Sequence, residues 1–479
     1  MIKSVSCGAL VIIIAVFYYR WQSTVTTRGN LTLIEKNVIF AWDKQIKFPS
    51  SSFQRLSVGV NSNLDIIVDG VTLLKELGIS PGKQKNHDII DNLEELQETF
   101  SYFFGKGSAA ERIFSEPSIY KQITNAAKTL SGVEYYIGGN AALMATKASG
   151  LFPNVEIQFV GPIGPKLAQM MPKSINIPKN SHIAEDELHL IMEYKVGQSW
   201  GDSTAPVATR FITSYDESNS KVTMLERYFE NLKDFQPDLA LFSGLHLLDG
   251  ETEEFFTERI DSFISGLRSI PRTVPVHLEL ASMANKEFVK NILNKVLPEI
   301  TSLGLNEQEL VFSAYAAGGP HGEDYENHNG QPIIHRVADI ISWLLTTYGY
   351  SKNNPNSRLT RIHFHSLTYH IAGVHPDVWG NVESATMAGT RVAGLQACDV
   401  TQLDPNIIDL HIPLKYHLFS GDIERSFNSS HPLHRWKLNG FEFVFSPVLV
   451  CKKPLKTVGL GDAISATGLM YSKFTLPVS

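Results

Sequence analysis

Thr457-Val458-Gly459-Leu460-Gly461-Asp462-Ala463-Ile464-Ser465-Ala466-Thr467-Gly468 follows a strand-like apolar run, Phe441 to Val450, through a short loop. A strand that passes through a glycine turn into small, helix-compatible residues is the building unit of an α/β fold. The turn suits an anion. Gly459 and Gly461, flanking Leu460, let the backbone come close, and the first amides of the helix present the positive end of its dipole. An acid beside a bound phosphate is repelled by it, so Asp462 there calls for a chemical task. The alternative is an ordinary strand-to-helix turn in which Asp462 serves as the N-cap.

Upstream, apolar strands alternate with amphipathic helices from about residue 54. Strand candidates are Leu56 to Val60, Ile157 to Val160, Leu239 to Ser243, Val274 to Leu280, Leu310 to Ser313, Arg361 to Leu367 and Phe441 to Val450. Helical stretches include Asp88 to Tyr102, Thr252 to Leu267 and Asn285 to Val296. This alternation predicts a mostly parallel sheet covered on both faces. His189 to Val196 and Ala205 to Thr213 break the rhythm. With only the turn Gly197 to Ser203 between them, they predict an antiparallel hairpin in a small sheet that covers a cleft. Ser351 to Ser357 reads as an exposed loop, while Tyr315 to Asn329 is a long stretch rich in Gly and His.

At 479 residues and 43% hydrophobic, the chain can bury a large core and holds one large domain and a smaller one. Its formal charge of -7 comes from scattered acids and bases without a basic block, which argues against nucleic acid as a partner. Residues 1–22 contain an uncharged apolar run, Val5 to Tyr19, between Lys3 and Arg20, short for a full span. It reads as a signal peptide or an uncleaved membrane anchor, with membrane association in the second case. Either implies the secretory pathway. Cys7 lies in that run, so only Cys398 and Cys451 are left to form one disulfide or to stay as two buried thiols. Asn30-Leu31-Thr32 and Asn428-Ser429-Ser430 are glycosylation triplets. Nothing calls for a partner protein, so a monomer is expected.

Ligands of open parallel sheets bind beyond the carboxyl ends of the strands. Glu279 stands near such an end in an apolar context, where a carboxylate needs a salt bridge or a metal. Asn306 and Glu309, three apart, share one side of a helical turn and can offer oxygens to a hard cation, or simply form a solvated helix end. Glu279, Glu309 and Asp462 together make the sparse acidic set expected for Mg²⁺ bridging a phosphate. Asp65 after the first strand, and the turn Gly138-Gly139-Asn140, offer the mixed acceptors and donors that sugar hydroxyls need, or plain turn chemistry. Glu111 passes for a surface helix residue. His189 and Glu193 share a strand face, and His363, His365 and His370 read as polar residues at a buried strand end rather than a zinc site. No nucleophile elbow, Walker lysine loop or dinucleotide fingerprint is present.

These motifs resemble, in order, those of the ADP-dependent glucokinases, a branch of the ribokinase-like superfamily, and in particular the animal form. The likeness rests on Gly138 to Ala141, His189 to Tyr194, His277 to Ser282, Leu305 to Glu309 and Gly459 to Asp462, and spans about Val58 to Lys473. It implies a ribokinase-like α/β/α large domain within residues 50–475 and a smaller β-containing lid from about 70–130 and 183–230. It also implies that ADP donates its terminal phosphoryl group to glucose, leaving AMP and glucose 6-phosphate, the entry to glycolysis. On this resemblance Asp462 is the catalytic base, Gly459, Leu460 and Gly461 form the anion hole, and Glu279, Glu309 and Asp462 are associated with magnesium. Asn306 completes an N-x-x-E motif. Asp65, Glu111, Gly138, Gly139, Asn140 and His189 match sugar-binding positions, Arg210 a phosphate-contacting arginine, and the N-terminus an endoplasmic reticulum address. The rivals are an ADP-dependent phosphofructokinase, an ATP-dependent sugar kinase and a catalytically silent nucleotide-binding protein.

Overall fold

The computed structural model describes residues 32–50, 52–327, 332–455 and 459–476. The apolar N-terminal run, Cys7, Asn30 and Leu31 of the first glycosylation triplet, Thr457-Val458 and the end of the Tyr315 to Asn329 segment lie outside the described residues. The chain divides into two compact units, Phe53–Ile300 and Thr301–Ser479 with Met1–Ser52.

The Phe53–Ile300 unit contains two layers of strands with different chemistry. Its parallel strands run in the order Val276–Glu279, Leu239–Ser243, Arg55–Val60, Glu156–Val160 and Ile175–Asn176. The middle strands are almost wholly buried, as parallel strands covered by crossover helices must be. Tyr228, on the helix Leu225–Phe235, packs its ring against Phe242 at 4.3 Å and a 52° tilt and donates its hydroxyl to the Ser57 carbonyl, so its polar tip is satisfied in the core. The helix Glu253–Ser269 begins where the sequence places it, with the Thr252 hydroxyl accepting from the Phe255 amide.

The second sheet of this unit has six strands in the order Ile89–Ile90, Ala110–Phe114, Thr209–Tyr215, Leu188–Tyr194, Asn63–Asp69 and Glu134–Gly138. The expected hairpin is its centre, antiparallel, with Arg210 opposite Glu193 and Ser214 opposite His189. Alternation along the strands splits the sheet into two faces. Ile66, Val68, Leu190, Met192, Tyr194 and Phe211 point into a core built around Phe100, whose ring meets Tyr194, Trp200 and Phe211 edge-on at 5.9–6.2 Å. Burying each such side chain contributes about 1.5–3 kcal/mol. Asp65, Glu111, His189, Glu193 and Arg210 fall on the opposite face. The turn Gly197 to Ser203 is itself structured, Ser199–Trp200 pairing with Ser203–Thr204, because the buried Trp200 ring donates to Ser101 and pulls the turn onto the core.

In the Thr301–Ser479 unit the strands run His434–Leu438, Phe441–Pro447, Tyr369–Val374, Arg361–His365 and Ser302–Leu305, and only the last pair is parallel. The mostly parallel sheet expected from the sequence is thus antiparallel at this end. Short connections explain it: Asn439-Gly440, both at positive φ, closes a tight hairpin, and three residues separate His365 from Tyr369. A second correction concerns Leu310 to Ser313, which are helical, inside Glu307–Ala317. The polar group before them is a helix start, not a strand approach. The helix at residues 32–45 packs Val38 and Trp42 against Met387, Ile408 and Leu449. Beside them Cys398 and Cys451 are joined as a disulfide with a Cα separation of 5.4 Å.

Candidate active site

Gly459 sits in the left-handed region, φ +67°, and caps the helix Leu460–Met470. That conformation favours glycine and turns the following amides outward at the helix start. The cap position therefore belongs to Gly459, and Asp462 is not the N-cap. It lies in the first turn, only 3% exposed. A methyl on Gly461 would come within 3.1 Å of His365 Cε1, so that ring rests directly against the turn. His365 belongs to a group with His363 and His370, ring centroids 5.2–6.2 Å apart. Burial, with His365 beside it, pushes His370 well below the usual imidazole range and leaves it neutral.

In the same unit Asn306 and Glu309 form a capping box. The Asn306 side chain accepts from the Glu309 amide at 3.1 Å, and Glu309 accepts from the Asn306 amide at 2.7 Å and from its Nδ2 at 2.9 Å. The N-x-x-E spacing is thus explained locally by helix initiation. Glu309 is 2% exposed and stands in the first turn of its helix. In the other unit Glu279, equally buried, ends its strand and meets His277 Nε2 at 3.0 Å. Residues two apart on a strand share a face, so this pairing follows from the H-x-E spacing.

The polar face of the six-stranded sheet gathers most of the predicted sugar positions. Asp65 pairs in register with His189 on one side and Tyr136 on the other. Asn63 donates to Asp65 Oδ1 at 2.6 Å. Burial raises the Asp65 carboxyl above its ordinary range, and His189, Asn63 and Arg210 oppose that rise. Gly138 leaves room for this pair, since a methyl there would overlap both Asn63 Nδ2 and Asp65 Oδ1. Gly139, at φ +83°, caps the helix Asn140–Leu151 with its Cα side against Ser62, where an added carbon would lie 2.6 Å from Ser62 Cα. Asn140 is the first residue of that helix, whose next amides bind Asn61. Glu111 lies on a strand, not the surface helix its sequence suggested, and is exposed on the same sheet face as His189.

Two residues, Asp216 and Glu187, show no signal of this role in the sequence motifs. His189 Nε2 contacts both oxygens of Asp216, at 3.0 and 3.1 Å. Asp216 follows the strand Thr209–Tyr215, and Glu187 binds the backbone amides of Glu217, Ser218 and Asn219. Only Glu187, adjacent in sequence to His189, could have been suspected; Asp216 reaches its partner through strand pairing alone.

The family described as the ADP-specific phosphofructokinase/glucokinase conserved region matches residues 54–471. This chain belongs to that family. Among curated relatives, an ADP-dependent glucokinase of Bos taurus is 42% identical over 92% of this chain and 88% of its own length. A probable ADP-dependent glucokinase of Caenorhabditis elegans is 38% identical over 95% of this chain and 92% of its own. The crystal structure of a hypothetical ADP-dependent phosphofructokinase from Pyrococcus horikoshii OT3 matches with a TM-score of 0.67 at 17% identity, covering 89% of this chain and 98% of that one. It shares the α/β fold of this family member.

Proposed function

We propose that this chain is an ADP-dependent glucokinase that transfers the terminal phosphoryl group of ADP to the 6-hydroxyl of D-glucose, releasing AMP and glucose 6-phosphate. The observation that carries the proposal is the near full-length similarity to animal proteins of that name, on a chain that retains the G-x-G-D helix start. In this reading Asp462 accepts the proton of the attacking hydroxyl, while the amides after Gly459 receive the charge of the transferring group. Asp65, Glu111, Asn140 and His189, with the backbone at Gly138 and Gly139, bind the sugar, and Arg210 neutralises phosphate charge. The six-stranded sheet takes the part of the lid, excluding water that would otherwise accept the phosphoryl group.

Mg²⁺ fits the acids present. It keeps most of its waters and takes one or two carboxylates with substrate phosphates. Glu309 and Asp462 are buried acids in the first turns of their helices and Glu279 is a buried acid at a strand end, and carboxylates are the ligand type that accepts from metal-bound water. When bound, Mg²⁺ would neutralise charge on the phosphates.

The carboxylates Asp65, Asp69, Glu111 and Glu193 share the sheet face with Arg210, a balance that favours a neutral sugar over a sugar phosphate. The Cys398–Cys451 disulfide supports an oxidising compartment, and with the N-terminal apolar run supports the endoplasmic reticulum lumen, by signal peptide or anchor. The test is a glucose-6-phosphate-coupled assay of the purified chain with ADP or ATP and Mg²⁺, with fructose 6-phosphate as the competing acceptor. Turnover with ADP and glucose is expected. Activity confined to ATP, or to fructose 6-phosphate, would overturn the reading.

A further inference from the structure

His189 has one ring nitrogen committed and one available. Nε2 is held by both oxygens of Asp216, and among the described residues Nδ1 has no hydrogen-bond partner. The side chain is 16% exposed and the Asp216 side chain 7%, so the pair is largely shielded from water while the ring keeps an open edge. Asp216 is itself held. Glu187 Oε1 accepts from the Glu217 and Ser218 amides and Oε2 from the Asn219 amide at 3.0 Å, while Asn219 exchanges two hydrogen bonds with the Ser62 backbone. The turn that carries Asp216 is thereby fixed against the strand that carries Asp65.

We infer that Asp216, positioned by Glu187, locks His189 as a permanent hydrogen-bond donor whose Nδ1–H is offered to a hydroxyl oxygen of the sugar. Asp65 beside it is an acceptor in its ionised form, so the two give the site one donor and one acceptor with distinct roles. Asp216 and Glu187 are positioning residues; His189 makes the contact. The inference rests on the sugar-kinase reading above.

Electrostatics supports the geometry. Burial works against a charged His189, but the charge and hydrogen bond of Asp216, with Glu111 and Asp65, outweigh it and hold the imidazole at about 10. The other groups that bear on the pair do not reverse this. Burial pulls His246 down to about 4, Arg210 acts on Asp65, Glu187 is pushed up to about 7 by burial and by Asp216, and Tyr120 stays protonated. His189 therefore remains an imidazolium throughout the neutral range.

Substituting Asp216→Asn keeps the shape and removes the charge, leaving burial to drive His189 toward neutrality. In the full chain, Glu187, pushed up to about 7, adds the same inflection to parent and variant, so the KM for glucose is read relative to the parent at each pH. In the variant it should rise roughly 10- to 100-fold with pH across the ordinary histidine range, the factor of one charge-assisted hydrogen bond. The KM for ADP should not move. A glucose KM unchanged, or raised equally at every pH together with that of ADP, would overturn the inference in favour of a merely structural pair. Nitrogen-15 spectra of histidine-labelled parent chain at pH 8 provide a second measurement that needs no variant. Both ring nitrogens of His189 should be protonated, and a neutral tautomer would refute the proposal. A chain that phosphorylates no sugar would defeat the functional reading and leave this spectrum unaffected.

Discussion

Glu309 is asked to do two things, cap a helix and serve magnesium, and two substitutions separate them. Glu309→Ala removes the acceptor of the Asn306 amide, at 2.7 Å, and of Asn306 Nδ2, at 2.9 Å. Loss of one half of a capping box costs about 1 kcal/mol. The charge-assisted hydrogen bond from Asn306 Nδ2 adds about 1.5 kcal/mol more. A total near 2.5 kcal/mol corresponds to a fall of roughly 5–10 °C in the melting transition of a unit of this size. Glu309→Gln keeps one carbonyl for the Asn306 amide and loses only the charge, so about 1 kcal/mol is expected. The same change should raise the magnesium requirement roughly 10- to 100-fold, the effect of removing an outer partner of a bound metal. The assays are calorimetry or far-UV melting for the cap, and turnover against Mg²⁺ concentration for the metal. A Glu309→Ala chain melting within a degree of the parent would refute the cap argument. A Glu309→Gln chain with unaltered magnesium dependence would refute the metal role.

Asp462→Ala should lower turnover by roughly 10²- to 10⁴-fold with the glucose KM little changed, and near-normal turnover would remove Asp462 from the chemistry. Gly138→Ala places a methyl against Asn63 and Asp65 and should raise the KM for glucose well beyond that for ADP; equal changes in both would argue against a sugar site there. Replacing both Cys398 and Cys451 with alanine should destabilise the chain by about 4 kcal/mol, the chain-entropy value for the 53-residue separation, read from chemical denaturation. Because His189 binds its proton more tightly folded, at about 10, than unfolded, its contribution is fully present below about pH 6.5 and lost as pH rises through 10. The melting temperature should fall across that window, on the order of a few kcal/mol in stability, and Asp216→Asn should flatten the slope.

What could be read from the residues was what short-range physics controls. The G-x-G-D turn, the Thr252 cap, the hairpin around Gly197 to Ser203 and the buried strand Leu239–Ser243 each follow from local backbone preference or from the period of apolar residues. The N-x-x-E spacing held the capping box too, but its apolar continuation, Leu310 to Ser313, looked equally like a strand. A short buried helix face and a buried strand show the same run of apolar residues, and only the paired hydrogen bonds of Asn306 and Glu309 decide between them.

The sequence by itself determined the fold family and the chemical inventory: a glycine helix start with an acid, a small sheet with one polar face, and two cysteines to pair. The tertiary structure decided the partners. Asp216 found His189 and Cys398 found Cys451 because contacts across 27 or 53 residues depend on register and closure, which no local pattern encodes. The acid beside His189 is therefore the residue that only the folded chain could reveal.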